Sequence, residues 1–205
     1  MVNAFKRGLR VTNGNDLKHI LFTHSADTNH WLERRSTYTA SLASTSMFGY
    51  ILGLGDRHMS NIMINETTAK LVHIDFGDCF EVAQHRNLFP EKVPFRLTRV
   101  MTNALEPGGV NGTFRELCIN LLTVGRNKKQ QVSGLLEAFV YDPLLQWGTN
   151  YEGIAGGIVR RIKEKLTGRD FDCEMNIEDH IDRLISEATD HKNLCQMFRG
   201  WFPFW

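Results

Sequence analysis

Residues 49–81 read GYILGLGDRHMSNIMINETTAKLVHIDFGDCFE, and they decide how the rest of the chain is read. An apolar run gives way at Gly53 and Gly55 to a polar loop, Asp56 to Asn61. Two short β-like runs follow, Asn61–Ile64 and Leu71–Ile74, separated by the polar turn NETTAK, which predicts a hairpin. Its two ends hold Asn61 and Asp75 near one another and near Asp56. Asp75 directly follows the apolar run Leu71 to Ile74, where an unpaired carboxylate is costly without a cation or hydrogen-bond donors.

Upstream of the loop, Met47, Tyr50, Ile51 and Leu54 fall at offsets 0, 3, 4 and 7, the buried face of a helix running from Trp31 to about Leu54. Gly53 and Gly55 end it. Residues 1–29 carry little pattern beyond the turn Asn13 to Asp16, with Asp16 placed to cap a short helix through Phe22. His19, His24 and His30 have no metal-like spacing. Downstream, residues 78–99 hold Pro90 and Pro94 and read as a long loop beside the candidate site. Helical stripes then return at Phe114, Leu117, Cys118 and Leu121, and at Val132, Leu135, Leu136 and Phe139, both read as core. Asp142 and Pro143 stop the second. Gly148 to Gly157 reads as a flexible junction, followed by a basic amphipathic helix from Ile158 to Leu166 that Gly168 ends. Asn176 and Asp179 form a variant capping box before the stripe Ile177, Ile181, Leu184, Ile185 and Ala188. The fold class expected is mostly α with a small β-hairpin.

At 205 residues the chain can bury one core, or a core and a small appendage. A net charge of +1 supplies no global field toward nucleic acid or an anionic membrane, so no nucleic-acid partner is expected. Four dispersed cysteines without a CxxC pair argue against a disulfide scaffold or a zinc site and fit a reducing compartment. No apolar run approaches the roughly 18 residues of a membrane span. The cytoplasm or nucleus is the expected location.

The central stretch points to phosphoryl transfer. That reaction needs magnesium on hard oxygen ligands and a residue that orients the attacking hydroxyl and accepts its proton. Asp56, Asn61 five residues on, and Asp75 opening Asp-Phe-Gly supply those groups, at the spacing that protein kinases use. The competing structural reading has Asp56 capping a turn and Asn61 opening a strand. Arg57 is read as holding the loop through a nearby carboxylate. His58 is read as stabilising charge on the transferring phosphate when protonated, the alternative being a bond to the backbone when neutral. His73 alternates with Val72 and Ile74 and is read as packing.

GYILGLGDRHMSNIM and HIDFGDCFEVA, with WLERRSTYTASLA, FPEKVPFRLTRVMTNALE, LLEAFVYDPLLQW and KEKLTGRDF, together resemble the phosphatidylinositol-3-kinase-related protein kinases, most of all their target of rapamycin branch. The resemblance implies the large lobe of a PI3/PI4-kinase-like fold over residues 1–148, with a catalytic loop at 53–61 and an activation loop at 75–99. It also implies a junction and basic amphipathic helix at 149–172 and a helical FATC element at 173–205. It makes Asp56 the catalytic aspartate, His58 its companion, Asn61 and Asp75 the magnesium ligands (manganese being a substitute), and Met63 and Ile74 the floor of the adenine pocket for ATP. The implied substrate is a protein Ser/Thr hydroxyl, and the implied setting is growth and nutrient signalling.

Met59 stands where the family usually has proline, and Phe202 where it has a cysteine, so no disulfide between Cys195 and Cys173 is expected. Residues 1–55 hold neither a Gly-rich loop nor a VAIK-like lysine strand. The small lobe is therefore expected to be missing, along with helical repeats of a longer kinase, and the isolated chain is expected to have negligible turnover. Two rivals stand beside this reading. A phosphoinositide kinase needs a basic activation loop, whereas Asp78, Glu81 and Glu91 outweigh Arg86 and Lys92 over residues 78–93. A non-catalytic fragment could act through Trp201, Phe202, Phe204 and Trp205, inserted at a membrane headgroup boundary. The alternative for those aromatics is packing on the large lobe, which is the reading preferred.

Overall fold

A single long helix delivers the chain to the site. In a computed structural model, which describes residues 1–142, 151–169 and 173–205 (backbone alone at 151–153), three helices precede the hairpin: α1 (Val2–Val11), α2 (Asp16–Thr23) and α3 (Thr28–Leu52). The Asp27 carboxylate caps α3 by accepting from His30 N at 2.8 Å, so the helix starts at Thr28, three residues before the start expected at Trp31. Tyr38, Leu42, Met47 and Tyr50 line its buried face, with Leu54 buried just beyond. At the other end Gly53 adopts φ 65°, Leu54 N bonds Gly49 O at 2.8 Å and Gly53 N bonds Tyr50 O at 3.1 Å. This is a Schellman closure, which glycine permits because a Cβ at φ > 0 is strained. A Cβ here would also lie 2.6 Å from Glu81 N.

The hairpin forms as expected. β1 (Ile62–Ile64) pairs antiparallel with β2 (Leu71–His73), with Ile62 opposite His73, Met63 opposite Val72 and Ile64 opposite Leu71. Leu71 is buried, and its N–H donates to Ser41 Oγ of α3 at 3.0 Å, so the hairpin is fixed to the helix that feeds the loop.

The chain divides into two compact units. The first comprises Met1–Cys118 and Ile181–Trp205 and contains α1 to α3, the hairpin, α4 (Arg99–Asn103) and α9 (His191–Leu194). One of its cores gathers Phe5, Val93, Leu194, Met197 and Trp201. The second spans Ile119–His180 and contains α6 (Lys129–Val140) and α7 (Tyr151–Thr167), which pack on one another. The divisions fall inside α5 (Thr113–Asn127) and α8 (Ile177–Thr189). Among the described residues no helix is long and apolar enough to cross a membrane.

Several expectations need correction. Asp16 is the first residue of α2, not its cap; Asn15 occupies that place and makes no side-chain capping bond. α1 is not among the expected elements; Phe5 is its one buried residue, and Leu9 packs against the same core. Residues expected as a flexible junction are helical from Tyr151, so Gly153, Gly156 and Gly157 lie inside α7, while 148–150 fall outside the described residues. The first stripe of the middle helices is core, with Phe114 and Cys118 fully buried. The second is not: Leu135 is 74% and Phe139 51% exposed, and α6 buries Ser133 and Val140 instead. Helix α6 ends at Val140, before Asp142; Pro143 lies outside the described residues. Gly168 closes α7 at φ 80°, and Asn176 caps α8 by accepting from Asp179 N at 2.8 Å and donating to the Asp179 carboxylate at 2.6 Å.

Candidate active site

The polar loop begins where backbone crowding leaves no room for a side chain. A Cβ on Gly55 would run into the Cβ of Ala83 and lie 3.2 Å from Glu91 Oε2, while Gly55 N donates to Asp78 O at 2.8 Å. Asp56 and Asp75 both adopt φ 57°, in the left-handed region that non-glycine residues avoid. Strain of this kind persists only where neighbours over-determine the backbone, and it clusters at functional sites.

Arg57 supplies that over-determination. It is buried, and its guanidinium donates to Gly55 O at 2.7 Å, Asn61 O at 3.4 Å, Ile74 O at 2.7 Å and Asp75 O. One side chain thus ties the loop to the end of β2, helped by Ile74 N bonding Asn61 O at 3.1 Å. The holding role expected of Arg57 is present, but through four carbonyls where a carboxylate was expected. Burial lowers its pKa below the ordinary arginine value, opposed by the charges of Asp56, Asp75 and Glu91.

Around that staple the candidate groups converge. The Asn61 side chain is buried and its Nδ2 donates to Asp56 O at 2.9 Å, so the amide oxygen is the hard donor it can offer a cation. Asp75 is exposed, with Oδ1 accepting from Gly77 N at 3.1 Å. The desolvation cost expected for that carboxylate is therefore absent, because the chain turns outward at the end of β2. The Asp56 carboxylate is about one-third exposed, with Oδ2 3.9 Å from His58 Nε2 and Oδ1 3.7 Å from Arg86 Nη1. His58 Nδ1 in turn accepts from Ser60 N at 3.2 Å, which leaves Nε2 facing Asp56. His73 is half-buried, and burial followed by the Arg57 cation lowers its pKa to about 4, so it packs as a neutral ring.

Met63 and Ile74 lie on the outer face of the hairpin together with Val72, Met63 being 48% and Ile74 37% exposed. An apolar face of this kind beside a polar loop suits a flat heteroaromatic ring. Among the described residues no cluster of three or more His, Cys, Asp and Glu could hold a metal. One carboxylate and one carboxamide fit magnesium, which keeps waters and takes substrate phosphates as its remaining ligands.

Two residues that entered the sequence reading only as charges belong to this site. Arg86 pairs with Asp78 as well as facing Asp56. Glu91 Oε1 accepts the N–H of Asp56 at 2.9 Å. The sequence signal for it is weak: Glu91 lies between Pro90 and Pro94 beside Lys92, in a stretch that leads to the buried Val93 and Phe95. A cavity of about 350 Å³ opens beside Asp56, lined by His58, Arg86, Leu88, Glu91, Phe198 and Trp201 among others. The C-terminal aromatics are largely packed. Trp201 is buried, Trp205 Nε1 donates to Asp16 Oδ2 at 3.0 Å, and Phe204 lies against Gly8; Phe202 is 43% exposed.

With this loop, hairpin and Asp-Phe-Gly turn, the chain belongs to the phosphatidylinositol 3- and 4-kinase family: residues 2–149 match that family's model, and residues 174–205 match the FATC domain. Among its relatives, serine/threonine-protein kinase TOR2 of Saccharomyces cerevisiae is 41% identical over all of this chain and 10% of its own length. Serine/threonine-protein kinase mTor of Drosophila melanogaster is 39% identical over all of this chain and 11% of its own. Serine/threonine-protein kinase ATM of the same fly is 39% identical over 84% of this chain. The solved FAT and kinase domain of CtTel1 matches with a TM-score of 0.90 at 28% identity, covering all of this chain and 14% of that one. With a kinase domain, a FATC domain and these relatives, the chain stands in the phosphatidylinositol-3-kinase-related branch of the family. It spans about a tenth of the length of the TOR kinases it matches.

Proposed function

We propose that this chain is the C-terminal catalytic part of a serine/threonine protein kinase of the target of rapamycin type, transferring the γ-phosphate of ATP to protein hydroxyls in growth and nutrient signalling. In this reading residues 1–148 are the large lobe, 149–172 a junction and basic amphipathic helix, and 173–205 the FATC element. The observation that carries it is the Arg57 staple, which brings the Asp56–Asn61 loop and the Asp75 turn together.

Asp56 orients the acceptor hydroxyl and takes its proton, with His58 Nε2 beside its carboxylate to stabilise developing charge. Asn61 Oδ1 and the Asp75 carboxylate hold magnesium, which when bound neutralises charge on the phosphate oxygens. Met63 and Ile74 bear the adenine ring from below. A protein substrate is favoured over a phosphoinositide by the activation segment. Arg86 is already engaged by Asp78 and Asp56, and the stretch 78–93 is otherwise acidic on balance. Residues 1–52 are built of α1, α2 and α3 and contain no glycine-rich phosphate loop, so turnover needs a nucleotide-covering lobe and the longer kinase that carries it. The working location is cytoplasmic, with nuclear or membrane-surface pools open to it.

The test uses the complete kinase polypeptide carrying this segment, with radiolabelled ATP and either a Ser/Thr peptide or phosphoinositide micelles. Peptide labelling is expected, lowered about a thousandfold by Asp75→Ala or Asp56→Ala. Labelling of lipid alone overturns the protein-kinase reading. Steady phosphorylation by the purified 205-residue chain, abolished by Asp75→Ala, overturns the dependence on further chain.

A further inference from the structure

Glu91 touches the catalytic loop at the residue on which the reaction turns. Its Oε1 accepts the peptide N–H of Asp56 at 2.9 Å, its Oε2 stands over Gly55, and its own N–H is tied to Ala83 O at 3.0 Å. The peptide it holds belongs to a residue at φ 57°, a conformation that needs an outside restraint to persist. Gly55 is glycine where the carboxylate and Ala83 press against the loop, so Glu91 and the loop are fitted to each other. Resting on the kinase reading of Asp56, we propose that Glu91 is a positioning residue: its carboxylate locks the left-handed Asp56 peptide and so aims the catalytic side chain.

The charge on Glu91 matters as well as its shape. A hydrogen bond to an ionised acceptor is roughly twice as strong as one to a neutral acceptor. Burial pushes the Glu91 pKa up to about 7, against the hydrogen bond from Asp56, so the carboxylate changes charge near neutrality. The charged and titratable groups that face it are Asp56, Arg57 and His58 from the catalytic loop, and Asp78, Arg86 and Arg96 from the activation segment. The C-terminal segment presents only Met197, Phe198 and Trp201 to the shared cavity. Ionised Glu91 tightens the Asp56 peptide, and that effect favours the ionised form for catalysis.

Stability runs the other way. A carboxyl whose folded-state pKa rises from 4.5 to about 7 binds its proton more tightly when folded, so the fold loses stability as pH rises through that window. A group kept only for folding would not be chosen this way.

In the complete kinase polypeptide, kcat is expected to rise with pH through a midpoint near 7. Glu91→Gln keeps the acceptor oxygen but not the charge; it is expected to lower kcat at pH 8 by about 3- to 10-fold, leave KM for ATP within about twofold, and remove that inflection. Its thermal midpoint at pH 8 is expected to equal or exceed that of the unsubstituted protein. A Gln variant with the unsubstituted kcat and pH profile overturns the proposal, as does a loss of activity matched by a fall in thermal midpoint. Amide exchange of the peptide spanning 53–61 gives a readout independent of catalysis, and Glu91→Ala is expected to speed it about tenfold relative to the hairpin. If the polypeptide phosphorylates nothing, the kinase reading fails, and exchange alone still decides whether Glu91 holds Asp56.

Discussion

Two buried arginines organise two regions of the first unit, and they do it differently. Arg57 belongs to the loop it holds: all three of its side-chain nitrogens donate to carbonyls no more than 18 residues away. Arg96 joins parts far apart in sequence, donating to Trp201 O 105 residues away and to Arg57 O at 3.4 Å. Its guanidinium stacks over the Trp201 ring at 4.5 Å, while Nη2 has no hydrogen-bond partner among the described residues. Burial lowers the pKa of Arg96 to about 10, against the opposing charge of Glu91. Arg57 trades desolvation for carbonyl oxygens and fixes a geometry; Arg96 trades it for a ring and a carbonyl and fixes a chain end. The first should govern activity and the second stability.

The largest effect on folding is therefore expected at the far end of the second arginine. Trp201→Ala removes the fully buried ring that packs with Phe5, Val93, Leu194 and Met197, and is expected to cost about 4 kcal/mol in denaturant unfolding. Because Arg96 also donates to Arg57 O, the same variant should loosen the Asp56–Asn61 loop, seen as faster amide exchange over 53–61. A loss under about 1 kcal/mol would show that the C-terminal segment is an appendage, and the comparison would break.

Arg57→Met keeps the length and apolar stem but strips the donors from four carbonyls, and about 3 kcal/mol of stability is expected to go with them. Its mark is disproportion. In the complete kinase polypeptide, kcat should fall well beyond what the lost folded fraction explains, since Asp56 and Asp75 both lose the restraint on their left-handed backbones. A fall in kcat no larger than that of Trp201→Ala would remove the distinction between the two arginines.

The same contrast explains what could be read in the sequence. Gly53 and Gly55, the hairpin, and the spacing of Asp56, Asn61 and Asp75 are local features, set by backbone rules within a few residues, and they were legible. The partners of Arg57 were not, because a carbonyl acceptor leaves no trace in residue type. Glu91 reaches Asp56 across 35 positions, and Arg96 reaches Trp201 across 105, so no periodicity could join them. The exposed Leu135 and Phe139 misled for another reason: a helical stripe reports an apolar face, and on α6 that face is not covered by the described residues.

The smallest expected effect sharpens the C-terminal half of the comparison. Trp205 Nε1 donates to the Asp16 carboxylate in the first turn of α2, a partly buried, charge-assisted bond. Trp205→Phe keeps an aromatic ring in place and removes only that donor, so a loss of about 1 kcal/mol is expected, read from the shift of the urea midpoint at constant slope. Asp16→Ala should cost a similar amount, and the double variant little more than either alone, since both remove one bond. Insertion of the aromatic end into a headgroup layer makes the opposite demand. In that case Trp205→Phe would leave the urea midpoint unchanged and weaken binding to anionic vesicles, because the indole N–H would be serving the interface and not Asp16. The packed position of Trp201, 2% exposed, and the bond from Trp205 to Asp16 favour the first outcome.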